Sequence, residues 1–274
     1  MSQDETLLPM PVDVLSIQSL VVYGCVGNNA AAPTLRAMGL HTTVLPTVLF
    51  SNTPHYPTIY GGGVPQEWFE GYLRALHERD ALRRLRAVLT GYLGQAGKAQ
   101  ALARWLPALL QGEGAPLVCI DPVLGDADVG LYVDEALVGE YPALVGLADV
   151  LTPNRYELGL LTGAQPATPQ QTEEAARSLL AGRTRAVIVT SAGFEPPDAP
   201  EIHMVVVTQD EARWLAHQRV DATPKGTGDM FSAALLGHML HGKNAIDAAA
   251  AAGDDVVRAL QRTAALRSRE LVLD

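Results

Sequence analysis

The sequence predicts an α/β fold, a mostly parallel central sheet with helices on both faces and a small antiparallel hairpin near the C-terminal part. Three observations predict it. Short β-branched or apolar runs at 42–48, 87–90, 117–120, 149–151 and 186–190 alternate with segments of helical periodicity, the pattern of parallel strands joined by crossover helices. The rhythm changes late in the chain, where 202–208 and 211–219 flank Gln209-Asp210 and read as a hairpin. Just after it, Asp221-Ala222-Thr223-Pro224-Lys225-Gly226-Thr227-Gly228-Asp229 leads into a run with Phe231, Leu235, Leu236, Met239 and Leu240 at helical spacing.

Taken in order, residues 12–17 alternate like a first strand and lead into Gln18-Ser19. A turn at 24–29 follows, with Asn28 or Asn29 placed to cap an alanine-rich helix that runs to Met38 and stops at Gly39. The stretch 42–48 is β-branched and reads as a strand. Two prolines and three consecutive glycines make 50–63 a loop. Helices are expected at 67–85 and 95–110, with the strand 87–90 between them. Beyond the strand 117–120 come a helix at 134–141, the strand 149–151, helices at 155–161 and 172–180, and the strand 186–190. Helices at 228–240 and 244–265 close the chain. No repeat or low-complexity linker divides it, so 1–274 reads as one domain with 1–11 as a flexible tail.

Of 274 residues, 48% are apolar, enough for a sizeable core. Thirty acidic against 20 basic residues give a net charge of −10 without a basic cluster, which argues against nucleic acid as a partner. No apolar run reaches the length of a membrane span, and the acidic start lacks a secretory pattern, so the expected location is cytoplasmic. Cys25 and Cys119 offer neither a disulfide framework nor metal spacing, and Cys119 reads as a small buried hydrophobe. His41, His77, His203, His217, His238 and His241 show no metal spacing, and Trp68, Trp105 and Trp214 are expected to pack in the core.

The chemistry concentrates at Gly226-Thr227-Gly228-Asp229. Glycine lets backbone amides approach a ligand closely, and a helix N-terminus offers free N–H donors that suit phosphate. An anion hole beside a carboxylate is what phosphoryl transfer to a hydroxyl requires, the amides holding phosphate charge and the carboxylate taking the hydroxyl proton. A turn with an aspartate stabilising the first helical turn fits the same residues. Further polar clusters close the expected strands: Gln18-Ser19, Thr90-Gly91-Tyr92, Asp121-Pro122-Val123-Leu124-Gly125-Asp126, Thr152-Pro153-Asn154-Arg155-Tyr156-Glu157 and Thr190-Ser191. Each alone fits a strand-end turn. Together they fall on the rim where open α/β sheets bind ligands.

These motifs resemble a known family. Ser16-Ile17-Gln18-Ser19, Val21-Val22-Tyr23-Gly24 and Gly27-Asn28 resemble the N-terminal signature of pyridoxal kinases of the ribokinase superfamily. Phe50-Ser51-Asn52, Thr90-Gly91-Tyr92, Asp121 to Asp126, Thr152-Pro153-Asn154 with Glu157, and Gly226 to Asp229 are similar to its later blocks, in order. The resemblance implies a ribokinase-like three-layer sandwich that phosphorylates the 5′-hydroxymethyl group of pyridoxal with ATP, and a homodimer. It implies Asp229 as the base and the Gly226, Thr227 and Gly228 amides as anion hole. Ser19, Val26, Val48, Phe50 and Tyr92 would line the pyridoxal pocket. Asp121, Asp126, Thr152, Asn154 and Glu157 would face the triphosphate and its Mg²⁺, with Asp126 and Glu157 nearest the metal, and Thr190 and Ser191 would reach the nucleotide. Potassium is a further expectation of the family. Many members follow Phe-Ser-Asn with His-Thr; here Thr53 and Pro54 stand there and His55 comes one step later, so His55 is expected to reach the ring from a shifted loop. Lys225 lies next to the anion hole, where it would offset phosphoryl charge or condense with the aldehyde of pyridoxal. Two rival readings remain: a hydroxymethylpyrimidine kinase, though such enzymes usually begin with a glycine-rich block absent here, and a non-catalytic pyridoxal-binding protein, which would need no base at Asp229.

Overall fold

The structure is a computed structural model that describes residues 8–196 and 198–273. Residues 1–7 of the expected tail lie outside the described residues. The chain opens with β1 (Val14–Tyr23), α1 (Asn28–Ala37), β2 (Thr42–Asn52), β3 (Gly61–Gly63), α2 (Gln66–Glu78), β4 (Ala87–Thr90), α3 (Lys98–Leu109) and β5 (Leu117–Ile120). Then come β6 (Gly125–Asp126), β7 (Gly130–Leu131), α4 (Glu135–Val138), α5 (Pro142–Val145), β8 (Val150–Leu151), α6 (Arg155–Thr162) and α7 (Pro169–Ser178). The last elements are β9 (Ala186–Val189), β10 (Glu201–Thr208), β11 (Ala212–Gln218), α8 (Thr227–Leu240) and α9 (Ala245–Ala265).

A nine-stranded sheet runs β11-β10-β9-β8-β5-β4-β1-β2-β3. From β9 to β2 all pairings are parallel. The antiparallel strands sit at the edges, β3 on β2 and the β10–β11 hairpin on β9. Successive side chains on a strand face opposite ways, and here both faces are covered. Leu15, Ile17, Val88 and Val118 pack with Phe69, Leu102, Leu158 and Ala176 on one side. Val14, Leu89, Cys119 and Ile188 pack with Leu35, Leu235 and Ala249 on the other. The fold class and the late hairpin are as the sequence predicts, and Cys119 is buried.

Several local expectations need correction. Asn28 and Asn29 do not cap α1; Gly27 is its N-cap, with no side-chain cap bond. The Asn29 side chain instead accepts the Val21 N–H at 3.0 Å and donates to the Val21 carbonyl at 2.9 Å, and Asn28 donates to the Gln18 carbonyl at 3.0 Å. Both asparagines tie α1 to β1. The stretch 50–63 is not one loop. β2 continues to Asn52, and β3 pairs back on it from Val48 to Phe50. Gly61, at φ 111°, permits this: a Cβ there would lie 2.0 Å from the Leu49 carbonyl oxygen. The connection is thus confined to 53–60. The helix expected over 67–85 ends at Glu78, with Asp80 at φ 50°. The one expected over 95–110 starts at Lys98, behind Gly97 at φ 91°, and of the one expected over 134–141 only the short α4 (Glu135–Val138) forms, with a second short helix, α5, just beyond it. Trp68 is 58% exposed rather than core. No helix among the described residues is long and apolar enough to cross a membrane.

Candidate active site

Strand order reverses between β1 and β4: from β1 the chain builds one half of the sheet, from β4 the other. A crevice opens beyond the carboxyl ends of the strands at such a switch point. Gln18 and Gly91 meet there, so closely that a Cβ on Gly91 would lie 2.3 Å from Gln18 Oε1. The neighbouring strand ends continue the rim. The Asp121 N–H donates to the Thr90 carbonyl at 2.9 Å, the Thr152 N–H to the Ile120 carbonyl at 3.1 Å, and Asn154 bridges to Thr190.

The Gly226–Asp229 loop closes this crevice. Gly226 takes φ 95°, and a Cβ on it would lie 1.9 Å from the Cys25 carbonyl oxygen. Only glycine lets the loop sit so deeply on the 24–27 turn. No side chain caps α8, so its first amides have no helical partner. Asp229, in the first turn, faces the Gly27 amide. It is half-buried, and burial pushes its carboxyl up to about 6, with the nearby Gly27 N–H pulling the other way. Gly27 has φ 54°, and a Cβ there would lie 2.1 Å from Ser19 Oγ. Ser19, Gly27 and Asp229 therefore form one packed line. Burial also holds the Cys25 thiol up at about 12, so it is no nucleophile at neutral pH.

On the other side of Asp229 the carboxylates crowd. Asp121 is buried, accepts a bond from Ser232 Oγ at 3.0 Å, and Ser232 in turn pairs with Thr152 Oγ1 at 2.9 Å. Burial, then the charges of Glu157 and Asp229, hold the Asp121 carboxyl well above its usual range, against the Ser232 and Thr152 hydroxyls. Glu157 is buried as well. Its Oε1 accepts the N–H groups of Leu124 and Gly125 at 3.0 and 3.4 Å, and its Oε2 that of Asn154 at 2.9 Å. The Asn154 side chain accepts the Glu157 N–H at 2.8 Å, which completes a capping box on α6. Burial pushes Glu157 up to about 7 in spite of these amides. Asn154 also donates to the Gly125 carbonyl at 2.8 Å, so the pair shapes the turn that carries Asp126 into the β6–β7 hairpin. Among the described residues no three His, Cys, Asp or Glu side chains form a metal cage.

Comparison with known proteins supports a kinase. The family described as Phosphomethylpyrimidine kinase matches residues 23–273. A pyridoxine/pyridoxal/pyridoxamine kinase of Bordetella avium is 50% identical over 266 residues, 97% of this chain and 90% of that protein. The chain belongs to the pyridoxal kinase family. A pyridoxal kinase of Corynebacterium diphtheriae is 30% identical over 266 residues, covering 96% of this chain and 93% of its own. The pyridoxal kinase of Leishmania donovani in complex with ADP and pyridoxamine has the same fold, with a TM-score of 0.86 at 28% identity over 95% of this chain and 90% of that one.

The other residues that the pyridoxal kinase resemblance singles out fall in two places. Val48 and Tyr92 meet across Gly94, where a Cβ would lie 2.5 Å from Val48 Cγ1 and 3.4 Å from Tyr92 Cε1. Thr47 Oγ1 ties the same segment down by donating to the Tyr92 carbonyl at 2.6 Å. Phe50 is two residues on from Val48 along β2, hence on the same face, and Val26 lies in the turn under Gly226. Thr190 ends the β9 side of the rim, followed by an exposed Ser191 at φ 48°. His55 is elsewhere: its Nε2 is 3.5 Å from Glu270 Oε1 and its ring stacks on Tyr56 at 4.2 Å. With Lys225, Arg267 and Arg269 it lines an open cavity of about 590 Å³. Sequence reasoning missed three residues of the site. Gly27 brings its amide to face the aspartate and Ser232 bridges Asp121 to Thr152; a glycine and a helical serine carry no local signal for either role. The third is Glu270.

Proposed function

We propose that this protein, acting as one domain, transfers the γ-phosphoryl group of ATP to the 5′-hydroxymethyl group of pyridoxal, with pyridoxine and pyridoxamine as further substrates. The Bordetella avium relative is named for all three vitamers, and the Leishmania donovani kinase was seen with ADP and pyridoxamine. The observation that carries the reading is Asp229, a carboxylate in the first turn of α8, whose start no side chain caps, with its carboxyl raised by burial to about 6. A protein that only carried pyridoxal would need no base beside an anion hole.

The vitamer lies between Ser19, Val26, Val48, Phe50 and Tyr92, its hydroxymethyl group turned to Asp229. At neutral pH Asp229, with its carboxyl near 6, is ionised yet more basic than an ordinary aspartate, the match a general base needs. It takes the hydroxyl proton as the oxygen attacks. The amides of Gly226, Thr227 and Gly228, with the α8 dipole behind them, hold the charge on the transferred group. Thr152, Asn154, Thr190 and Ser191 orient the nucleotide.

Asp121, Asp126 and Glu157 face the triphosphate. Bringing that anion to a group of carboxylates requires a cation between them. The donor set fits Mg²⁺, which keeps several waters and binds through few carboxylates plus phosphate oxygens. Asp126 is the direct or water-mediated ligand, since both Glu157 oxygens are engaged by backbone amides. When bound, Mg²⁺ neutralises phosphate charge during transfer. Potassium near the phosphates is a further proposal, and no step here depends on it. We also propose a homodimer, formed through exposed apolar side chains on β1, β2, α2 and the 53–60 connection: Val22, Tyr23, Leu49, Tyr60, Trp68 and Tyr72. The site is read as working in the cytoplasm, where ATP is supplied.

The test is turnover of ATP with pyridoxal, pyridoxine, pyridoxamine and hydroxymethylpyrimidine side by side. A vitamer preference is expected. A clear preference for the pyrimidine overturns the substrate assignment, and no ATP turnover with any of them overturns the kinase assignment.

A further inference from the structure

We propose that Glu270, in the C-terminal tail, is a positioning residue for the vitamer site, its single carboxylate tying the turn beside the catalytic base to the connection that follows Val48 and Phe50 on β2. Oε2 of Glu270 accepts the Cys25 N–H at 3.1 Å and the Thr53 hydroxyl at 3.0 Å, while Oε1 faces His55 at 3.5 Å. Tyr56 stacks on His55, with ring centroids 4.2 Å apart. The two segments it joins are already close. The Thr53 N–H donates to the Tyr23 carbonyl at 3.1 Å, and a Cβ on Gly24 would lie 1.9 Å from Thr53 Oγ1 and 2.9 Å from Glu270 Oε2.

The tail delivers this carboxylate in a fixed position. Leu271 is buried beside Cys25, Ala30, Met230 and Ala259. Ser268 Oγ accepts the Glu270 N–H at 3.1 Å and donates to the Glu270 carbonyl at 2.7 Å. The next amide, Val272 N–H, donates to Thr263 Oγ1 at 2.9 Å. Backbone bonds and an apolar anchor on both sides leave the side chain little freedom, which is how a supporting shell holds a site.

What Glu270 supports follows from the turn it grips. Residues 24–27 include the Cys25 carbonyl on which Gly226 sits and the Gly27 amide that faces Asp229. Residues 53–56 begin the connection between β2 and β3, whose strand partners carry Val48 and Phe50. Two donors converge on one oxygen, so the position calls for an acceptor. Alanine leaves the buried Cys25 N–H without a partner and frees the connection. Glutamine, with its amide oxygen turned to Cys25 and Thr53, keeps both bonds.

The inference rests on the proposed vitamer phosphorylation, and its test separates the two. In Glu270→Ala, amides of 53–60 should exchange with deuterium faster in the unliganded protein, and the KM for pyridoxal should rise about tenfold, the order expected for a lost charged hydrogen bond. The KM for ATP should stay within about twofold. Glu270→Gln should restore both exchange protection and most of the pyridoxal KM. Unchanged exchange and pyridoxal KM in the alanine variant would overturn the inference. So would an equal rise in both KM values with protection lost throughout α9, which marks a purely structural tail. Should the wild type phosphorylate no vitamer, the function assigned above falls, while exchange in the unliganded variants still decides whether the clamp exists.

Discussion

Replacing Asp229 with asparagine should inactivate the enzyme and stabilise it. Asparagine keeps the shape, and its amide oxygen can still face the Gly27 amide, but it cannot take a proton. Loss of general-base catalysis should lower kcat by roughly 10²–10⁴-fold. The stability effect follows from the carboxyl lying near 6 in place of its ordinary 3.8. The native state then holds the proton more tightly than the unfolded chain, so stability falls as pH rises from 3.8 toward about 6 and stays low above it. Two pKa units correspond to about 3 kcal/mol at pH 8. An amide must also be desolvated, which leaves a gain of about 2 kcal/mol, or about 4–8 °C in Tm for a chain of this size. Relief of Asp121, whose carboxyl is raised partly by Asp229, acts in the same direction. Melting of both proteins without nucleotide or metal, at pH 8 and pH 5, checks this. The gap should be present at pH 8 and fall to roughly a third at pH 5, where the native aspartate is largely protonated. A gap that is the same at both pH values, a wild type more stable at pH 8, or near-normal kcat in the variant would refute the reasoning.

Three further outcomes are expected. In the wild type, kcat/KM for pyridoxal should fall about tenfold per pH unit below about 6, as Asp229 protonates; a pH–rate profile with no break near that value counts against Asp229 as base. Gly226→Ala should lose at least about 3 kcal/mol in denaturant unfolding and most of its turnover, because the new Cβ would lie 1.9 Å from the Cys25 carbonyl at φ 95°. Pyridoxal 5′-phosphate with borohydride should label Lys225, which lines the open cavity beside the anion hole, and reduce activity; Lys225→Ala should resist labelling and show weaker product inhibition, as peptide mapping and progress curves would report.

What the sequence makes legible here, and what it hides, divides along physical lines. Parallel strands joined by crossovers place every strand's carboxyl end on one rim, so Asp121, Thr152, Asn154 and Thr190 were readable as one cluster once each strand was found. The proposed anion hole was readable because glycines and an aspartate before an apolar helical run, which alone fit an ordinary capped turn, fall beside the other polar strand ends. The early end assigned to β1 shows the limit. Gln18 and Ser19 interrupt the apolar alternation, yet both are buried: Gln18 donates to Ser16 Oγ at 3.0 Å, and Ser19 packs on Gly27. β1 accommodates them with a register shift against β2 between Gln18 and Leu20, the local irregularity by which a strand re-aims side chains beside a site. A buried polar residue is tolerated only where partners satisfy it, and those partners come from distant segments. Glu270 is the extreme case, 245 positions from the Cys25 amide it accepts. No local pattern distinguishes it from a solvated glutamate. It becomes visible only when a tail, anchored by Leu271, is folded back against the turn under the catalytic loop. The residues proposed to carry the reaction announce themselves by type and spacing, whereas those proposed to hold them in place are identified by what they satisfy.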